Sequence, residues 1–345
     1  GEDLAEFHVH GSRAVIKAMH SAISKIKNCR LAEPGEFTRR AFQNGRINLL
    51  KAESIADLIS SETEIQRKQA LKIMSGKSAD KYNSWRKKIL KILSHVEAKI
   101  DFPEEVLSKK IINEVQKVAN EVLTEIKKIL DDQKVGERIR EGFKIAIVGP
   151  PNSGKSSLLN YLSKRDVAIV SETAGTTRDV IETHLNLDGY PVIVSDTAGI
   201  RSSKNEIEKK GIKIALKRAD NADLKLVILS AKNVDFTDVL KGLLTKNAIL
   251  ILNKSDLIKG KLNSKFKKYE HVLISIKKDS NLNKLISKIK SKLKSKFTNS
   301  EDILITRERH RQNLINCVHH LEKFLKKKFH DDFDKAAEDL RLATR

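Results

Sequence analysis

The segment Gly149-Pro150-Pro151-Asn152-Ser153-Gly154-Lys155-Ser156 constrains what this chain can fold into more than any other. It follows the apolar run Ile145 to Val148 and precedes a helical pattern, so GxxxxGK[ST] stands in the strand-loop-helix setting that it requires. Amides at a helix start face phosphate oxygens, and the helix dipole favours negative charge there. Lys155 is placed to reach the β- and γ-phosphates and Ser156 to ligate Mg²⁺, while Asn152, Ser153, Gly154 and Ser157 complete the phosphate loop. Such a loop belongs on an α/β sheet.

The surrounding pattern agrees. Short buried-strand runs at Lys144 to Val148, Val192 to Ser195, Leu226 to Leu229, Ile249 to Leu252 and Val272 to Ile274 alternate with helical segments, predicting a doubly wound parallel sheet. On either side the period is helical. Apolar residues recur at three and four from Ile47 to Gln133, broken at Phe102-Pro103, and again from Ile305 to Phe329 after a Lys- and Ser-rich stretch, 291–300. The first residues are mixed, with a strand-like run Ala5 to Val9, a helical run Arg13 to Lys27 and a turn at Pro34-Gly35.

Three further segments define the nucleotide. Asn253-Lys254-Ser255-Asp256 follows the strand Ile249 to Leu252 and matches NKxD, in which the Asp carboxylate accepts protons from guanine N1 and N2. Adenine offers no such donor pair, so GTP is the expected ligand. Ser275-Ile276-Lys277 stands where GTPases carry Ser-Ala-Lys, its backbone suited to guanine O6, with Ile276 in place of the usual small residue. Asp196-Thr197-Ala198-Gly199 supplies DxxG, with Asp196 holding Mg²⁺ through water and the Gly199 amide sensing the γ-phosphate. Between them, the second Thr of Gly175-Thr176-Thr177-Arg178-Asp179 is placed to cap the Mg²⁺.

Ile200 occupies the position where Ras-like enzymes carry the water-orienting Gln, and an apolar side chain cannot do that work. Another device must activate water. Asn152 together with Gly-Thr-Thr-Arg-Asp resembles GTPases in which a monovalent cation replaces an arginine finger. That resemblance implies a K⁺ site from Asn152, Ser171, Thr173 and Thr176.

A formal charge of +22 would draw polyanions, which makes RNA a natural partner. The lysines are equally well read as a compositional bias, since they are scattered through Ile- and Asn-rich helices with few aromatics to stack bases. Two cysteines, Cys29 and Cys317, both in helical-looking patterns, exclude a disulfide framework or zinc site. The absence of a long apolar run or signal-like start predicts a cytoplasmic location without a membrane.

The flanks narrow the family. Phe7-His8-Val9-His10-Gly11, Pro34-Gly35-Glu36-Phe37-Thr38-Arg39-Arg40-Ala41-Phe42, Asn44-Gly45-Arg46, Lys51-Ala52-Glu53-Ser54-Ile55-Ala56-Asp57-Leu58-Ile59 and Ile100-Asp101-Phe102-Pro103-Glu104-Glu105 resemble the MnmE (TrmE) family of tRNA-modification GTPases throughout. The resemblance implies a multidomain plan: an α/β P-loop G domain inserted in an all-α helical domain, with a remnant of an α+β folate-binding domain. The expected divisions are 1–44 (folate-binding and dimerisation remnant), 45–139 and 300–345 (helical), and 140–299 (G domain).

It implies further that Glu6 and Arg46 contact a tetrahydrofolate derivative, 5,10-methylene or 5-formyl, and that Glu208, twelve residues after Asp196, positions the attacking water. Homodimerisation, a heterotetramer with the FAD-carrying partner MnmG (GidA), and C5 (carboxymethyl)aminomethyl modification of the tRNA wobble uridine belong to the same expectation. The family's terminal Cys-x-Gly-Lys is not matched by Leu342-Ala343-Thr344-Arg345, and the family's N-terminal domain is longer, so a chain trimmed at both ends is expected. An Era- or Der-like ribosome-assembly GTPase and an inactive scaffold are the alternatives.

Overall fold

The computed structural model describes residues 3–102, 109–165, 182–196, 217, 219–232, 237–258, 266, 269–297, 304–327 and 333–345. Six strands form one sheet: β1 (Phe143–Val148), β2 (Glu182–Leu187), β3 (Tyr190–Asp196), β4 (Leu224–Ser230), β5 (Ala248–Asn253) and β6 (His271–Leu273). Their order is β2-β3-β1-β4-β5-β6. Every pairing is parallel except β2 with β3.

The sheet is therefore mixed, which corrects the all-parallel expectation. Glu182–Leu187 alternates polar and apolar residues and is too weakly apolar to read as a buried strand. It pairs because Asp188 and Gly189, at φ 52° and 88°, close the two-residue turn with positive φ at both centres that matches the twist of a hairpin. The central strands β1, β4 and β5 are buried almost throughout, as both faces are covered. One face packs Leu158, Leu162, Leu285, Ile289 and Leu293 of α8 (Lys155–Arg165) and α10 (Leu282–Phe297). The other packs Ala219, Phe266 and Leu240 of α9 (Asp238–Gly242). The Lys- and Ser-rich stretch 291–300 is helical as far as Phe297, since Leu293 continues the buried stripe of Leu282, Leu285, Ile286 and Ile289.

Among the described residues seven helices precede β1: α1 (Arg13–Ile23), α2 (Glu36–Gln43), α3 (Leu49–Ile59), α4 (Glu64–Met74), α5 (Lys77–Asp101), α6 (Lys109–Leu130) and α7 (Val135–Glu141). Two follow α10, namely α11 (Glu308–Lys326) and α12 (Phe333–Ala343). Trp85, Ile89, Ile92 and Val96 of α5, Val122 and Ile126 of α6, Leu321 and Phe324 of α11, and Leu340 of α12 share one apolar core. Each such side chain contributes about 1.5–3 kcal/mol by leaving water. No described helix is long and apolar enough to cross a membrane.

Residues 3–12 form no strand, contrary to the reading of Ala5 to Val9, because no strand among the described residues pairs with their backbone groups; Phe7 and Val9 are exposed. Cys29 likewise lies beyond the end of α1 rather than in a helix, and is exposed, whereas Cys317 is buried in α11 with its thiol pushed up to about 11 by desolvation.

Within the helical core, Glu125 pairs with Lys81 and accepts from Trp85 Nε1 at 2.9 Å, which together hold its carboxyl down at about 2. A carboxyl whose folded pKa lies below its unfolded value of 4.5 adds stability above that value and loses it as pH falls towards about 2. Thermal unfolding of the wild type is therefore expected to drop more steeply across that window than that of Glu125→Gln. Parallel profiles would remove Glu125 as a source of acid sensitivity.

The helices before β1 meet the sheet at a few points on α4 and α7. The cap of α4, where Thr63 and Gln66 exchange bonds, lies at one of them. Gln66 Nε2 donates to the Arg140 carbonyl at 3.2 Å and Gln69 Nε2 to the Gly136 carbonyl at 3.0 Å, both on α7. Ile65 packs against the sheet core, and His184 on β2 lies 3.2 Å from Glu62. Arg138 of α7 ties to Asp223 at 2.6 Å, whose other oxygen accepts from the Lys144 amide at 3.0 Å. The entry to β1 is thus fixed from both sides.

Candidate nucleotide site

The phosphate loop leaves β1 through Gly149, where a Cβ would stand 2.1 Å from the Ile228 carbonyl oxygen of β4. Only glycine lets the chain pass there. Asn152 is exposed in left-handed geometry, at φ 58°. Ser153 is buried, and its Oγ donates to the Pro150 carbonyl at 2.8 Å. Gly154 has φ +107°, and a Cβ on it would meet Asn253 Nδ2 at 2.2 Å. Lys155 opens α8, largely buried, with Nζ donating to the carbonyls of Gly149 at 3.1 Å and Pro150 at 3.0 Å. Ser156 and Ser157 are exposed on the first turn of α8. The loop is a cradle of the kind that side chains would fill, and it fits a phosphate chain.

The base-reading segment begins where β5 ends. Asn253 is buried, and its amide spans two loops: Nδ2 donates to the Ser153 carbonyl at 2.9 Å and Oδ1 accepts from the Ile276 amide at 3.3 Å. Lys254 turns the chain at φ 63° into the short helical turn Ser255–Leu257 that carries Asp256. Ser275 Oγ donates to Asp256 Oδ1 at 2.5 Å, and this bond, foremost among several causes, holds the carboxyl below its ordinary range. Each carboxylate oxygen has two lone pairs, so acceptor capacity is left on both. Ser275 is itself held by a two-way backbone bridge to Ser280, while the Lys278 amide donates to its hydroxyl at 3.3 Å. Lys277 is exposed beside it.

These pieces collect at the carboxyl ends of the parallel strands, the usual place for ligands in such sheets. The phosphate loop follows β1, Asp196 ends β3, Asn253 ends β5 and Ser275-Ile276-Lys277 follows β6. The described structure thus brings together Asn152 to Ser157 with Asn253, Lys254, Asp256 and Ser275 to Lys277. Ser171, Thr173, Thr176, Thr177, Thr197, Ala198, Gly199, Glu208 and the Asp196 side chain lie outside the described residues.

Glu6 and Arg46 are not brought together. Glu6 is 66% exposed and lies 3.6 Å from His8, Arg46 is also exposed, and no described hydrogen bond or ion pair joins the two. Sequence reasoning also missed the hydroxyl of Ser275 as the partner of Asp256. Only the usual serine at that position of the motif hinted at it, because the contact crosses between two loops.

A phosphate loop on a mostly parallel sheet, bonded side by side with an NKxD loop, defines a guanine-nucleotide P-loop protein of the GTPase class. Residues 49–345 match the family model for the MnmE helical domain, and residues 1–46 match that for the GTP-binding protein TrmE N-terminus. The tRNA modification GTPase MnmE of Pelagibacter ubique (strain HTCC1062) is 73% identical over 345 residues, covering 100% of this chain and 78% of that protein. The MnmE of Rickettsia rickettsii (strain Sheila Smith) is 44% identical over 349 residues, covering 100% and 78%. A crystal structure of Aquifex aeolicus Era is 32% identical over 42% of this chain and 55% of that one, with a TM-score of 0.34. The chain belongs to the MnmE family of GTPases.

Proposed function

We propose that this chain hydrolyses GTP as part of tRNA modification. The observation that carries the nucleotide half is the Asn253 amide, which donates at 2.9 Å to the Ser153 carbonyl and so joins the base-reading and phosphate-reading loops. Asp256, held by Ser275, would accept from the guanine edge, and the amides of 152–157 with Lys155 would take the phosphates. Lys155 would exchange its two loop carbonyls for β- and γ-oxygens. Asp196, Thr197, Ala198 and Gly199 would read the γ-phosphate.

Ser156 and Thr177 would hold Mg²⁺, and Asn152, Ser171, Thr173 and Thr176 would hold K⁺; these cations supply positive charge to the phosphates. Glu208 would orient the water for in-line attack on the γ-phosphorus, with GDP and phosphate leaving. K⁺ would in turn assist the pairing of two G domains.

The tRNA half rests on the names of relatives covering the whole chain, which support it over an Era- or Der-like assembly role. Joint action with MnmG at C5 of the wobble uridine, a homodimer and a cytoplasmic location go with it. The shared core of α5, α6, α11 and α12 supports a G domain at about 140–299 inserted between helical parts at about 45–139 and 300–345. For 1–44 as a folate-binding remnant, and for Glu6 and Arg46 as its contacts, the family motif alone speaks, and no step is built on them.

The test is the steady-state GTPase rate in K⁺ and in Na⁺ at equal ionic strength, with Glu208→Ala beside the wild type. Stimulation by K⁺ that disappears in Glu208→Ala is expected, with a loss on the order of 10²–10³-fold. Equal rates in both salts and an unaffected variant would return the protein to a generic assembly GTPase.

A further inference from the structure

The loop after β6 departs from Ser-Ala-Lys at one residue, Ile276, and the structure gives that side chain a neighbour in the phosphate loop. Its Cδ1 lies 3.5 Å from the point that a Cβ on Gly154 would occupy. Asn253 Nδ2 lies 2.2 Å from the same point. Asn253 and Ile276 thus both border the space that a side chain at this position would need, and Gly154 stands at φ +107°, a backbone conformation that favours glycine. The Ile276 amide also donates to Asn253 Oδ1 at 3.3 Å, and its half-buried side chain packs against the sheet core that includes Leu158 of α8 and Leu282 of α10.

From this we infer that Ile276 is a positioning residue that sets how long a guanine nucleotide stays bound. The inference rests on the GTP-binding reading above. An alanine would leave the two loops joined through Asn253 alone at this point. The isoleucine fills the space between them, so motion of the base-reading loop is resisted by the phosphate loop, and the reverse. A residue held in a sparsely populated backbone conformation depends on neighbours that over-determine it. Loosening Gly154 shifts the amides next to Lys155 that would face the phosphates. Nucleotide escape requires both loops to give way, so the wedge acts on release far more than on capture.

The experiment is stopped-flow binding and release of a fluorescent N-methylanthraniloyl-GDP by the whole chain. Ile276→Ala is expected to speed release by about ten- to thirty-fold with the association rate nearly unchanged, as loss of three buried carbons would give. Ile276→Val is expected close to the wild type. A second variant, Ile289→Ala, removes volume from the same core on α10. Equal release rates for wild type and Ile276→Ala would overturn the inference. So would equally fast release from Ile289→Ala, since general softening of the core would then explain the effect. A wild type that binds no GDP at all fails earlier and sinks the guanine reading itself, which separates the two failures.

Discussion

Asp256→Asn is expected to lose GTP and gain XTP. The carboxylate is an acceptor-only group, matched to the two N–H donors on the guanine edge, and hydrogen bonds to a charged partner contribute about 1.5–3 kcal/mol each. Losing that match costs affinity of roughly 10²–10³-fold. Xanthine carries a carbonyl where guanine carries its amino group, so an Asn amide can donate to that oxygen while its own carbonyl accepts from N1–H. The Ser275 hydroxyl, now 2.5 Å from Oδ1, can serve the amide oxygen as well, so the loop keeps its shape. Parallel titrations with fluorescent GDP and XDP read the exchange. A variant that holds GDP within a few-fold of the wild type would remove Asp256 from the base-reading role.

The second large effect concerns stability. Arg311 of α11 is almost fully buried and donates twice to Glu137 of α7, at 2.6 and 2.9 Å, once to Asp132 at 2.6 Å and once to the Leu130 carbonyl at 3.0 Å. Its guanidinium is held charged, chiefly by the bonds to Glu137. Glu137 is buried too, so Arg311→Ala leaves a carboxylate without its cation, at a cost of about 3–5 kcal/mol. A fall of thermal midpoint on the order of 10 °C follows for a protein of this size. The pair itself is a weak stabiliser, because both charges had to leave water. Arg311→Met with Glu137→Leu is accordingly expected to recover most of the loss. If the double variant is no better than the single one, the cost arises from packing rather than from a stranded charge.

Much of the nucleotide half was legible because its chemistry is local. Eight consecutive residues make the phosphate loop, and an apolar run before NKSD places that loop at a strand end. What sequence could not give depends on contacts between distant segments. The hydroxyl of Ser275 meets Asp256 because β5 and β6 are neighbours in the sheet. Glu182–Leu187 becomes a strand through its hairpin with β3, although Asp188-Gly189 was the available signal. The run Ala5 to Val9 shows the opposite failure, where β-prone residues find no strand to pair with. The Lys- and Ser-rich stretch carried no clear period by composition, while the spacing of Leu293 from Ile289 and Ile286 keeps it helical as far as Phe297. Arg311 with Glu137 carried no sequence signal at all, since a buried ion pair is defined by position alone.

The joint core of the helices has a kinetic side. Tyr82 of α5 donates to the Leu304 carbonyl at 2.8 Å, and Arg341 of α12 reaches Glu97 at 3.0 Å, so part of the core closes over segments more than two hundred positions apart. During synthesis α5 and α6 emerge long before α11 and α12, so their stripes, Trp85 to Val96 and Val115 to Ile126, can meet each other while the rest of the core waits for α11 and α12. The sheet shortens that wait in space, if not in time. Phe143 of β1 and Leu293 of α10 belong to one core, so the folded sheet with its covering helix brings the two helical flanks together. The entropy of closing the long connection is then met in smaller steps by the pairings within the sheet, each spanning fewer residues than the whole insertion, and the remaining closure spans the residues on either side. Completion of the helical body in this way waits on the nucleotide-binding unit, which acts as its template for assembly.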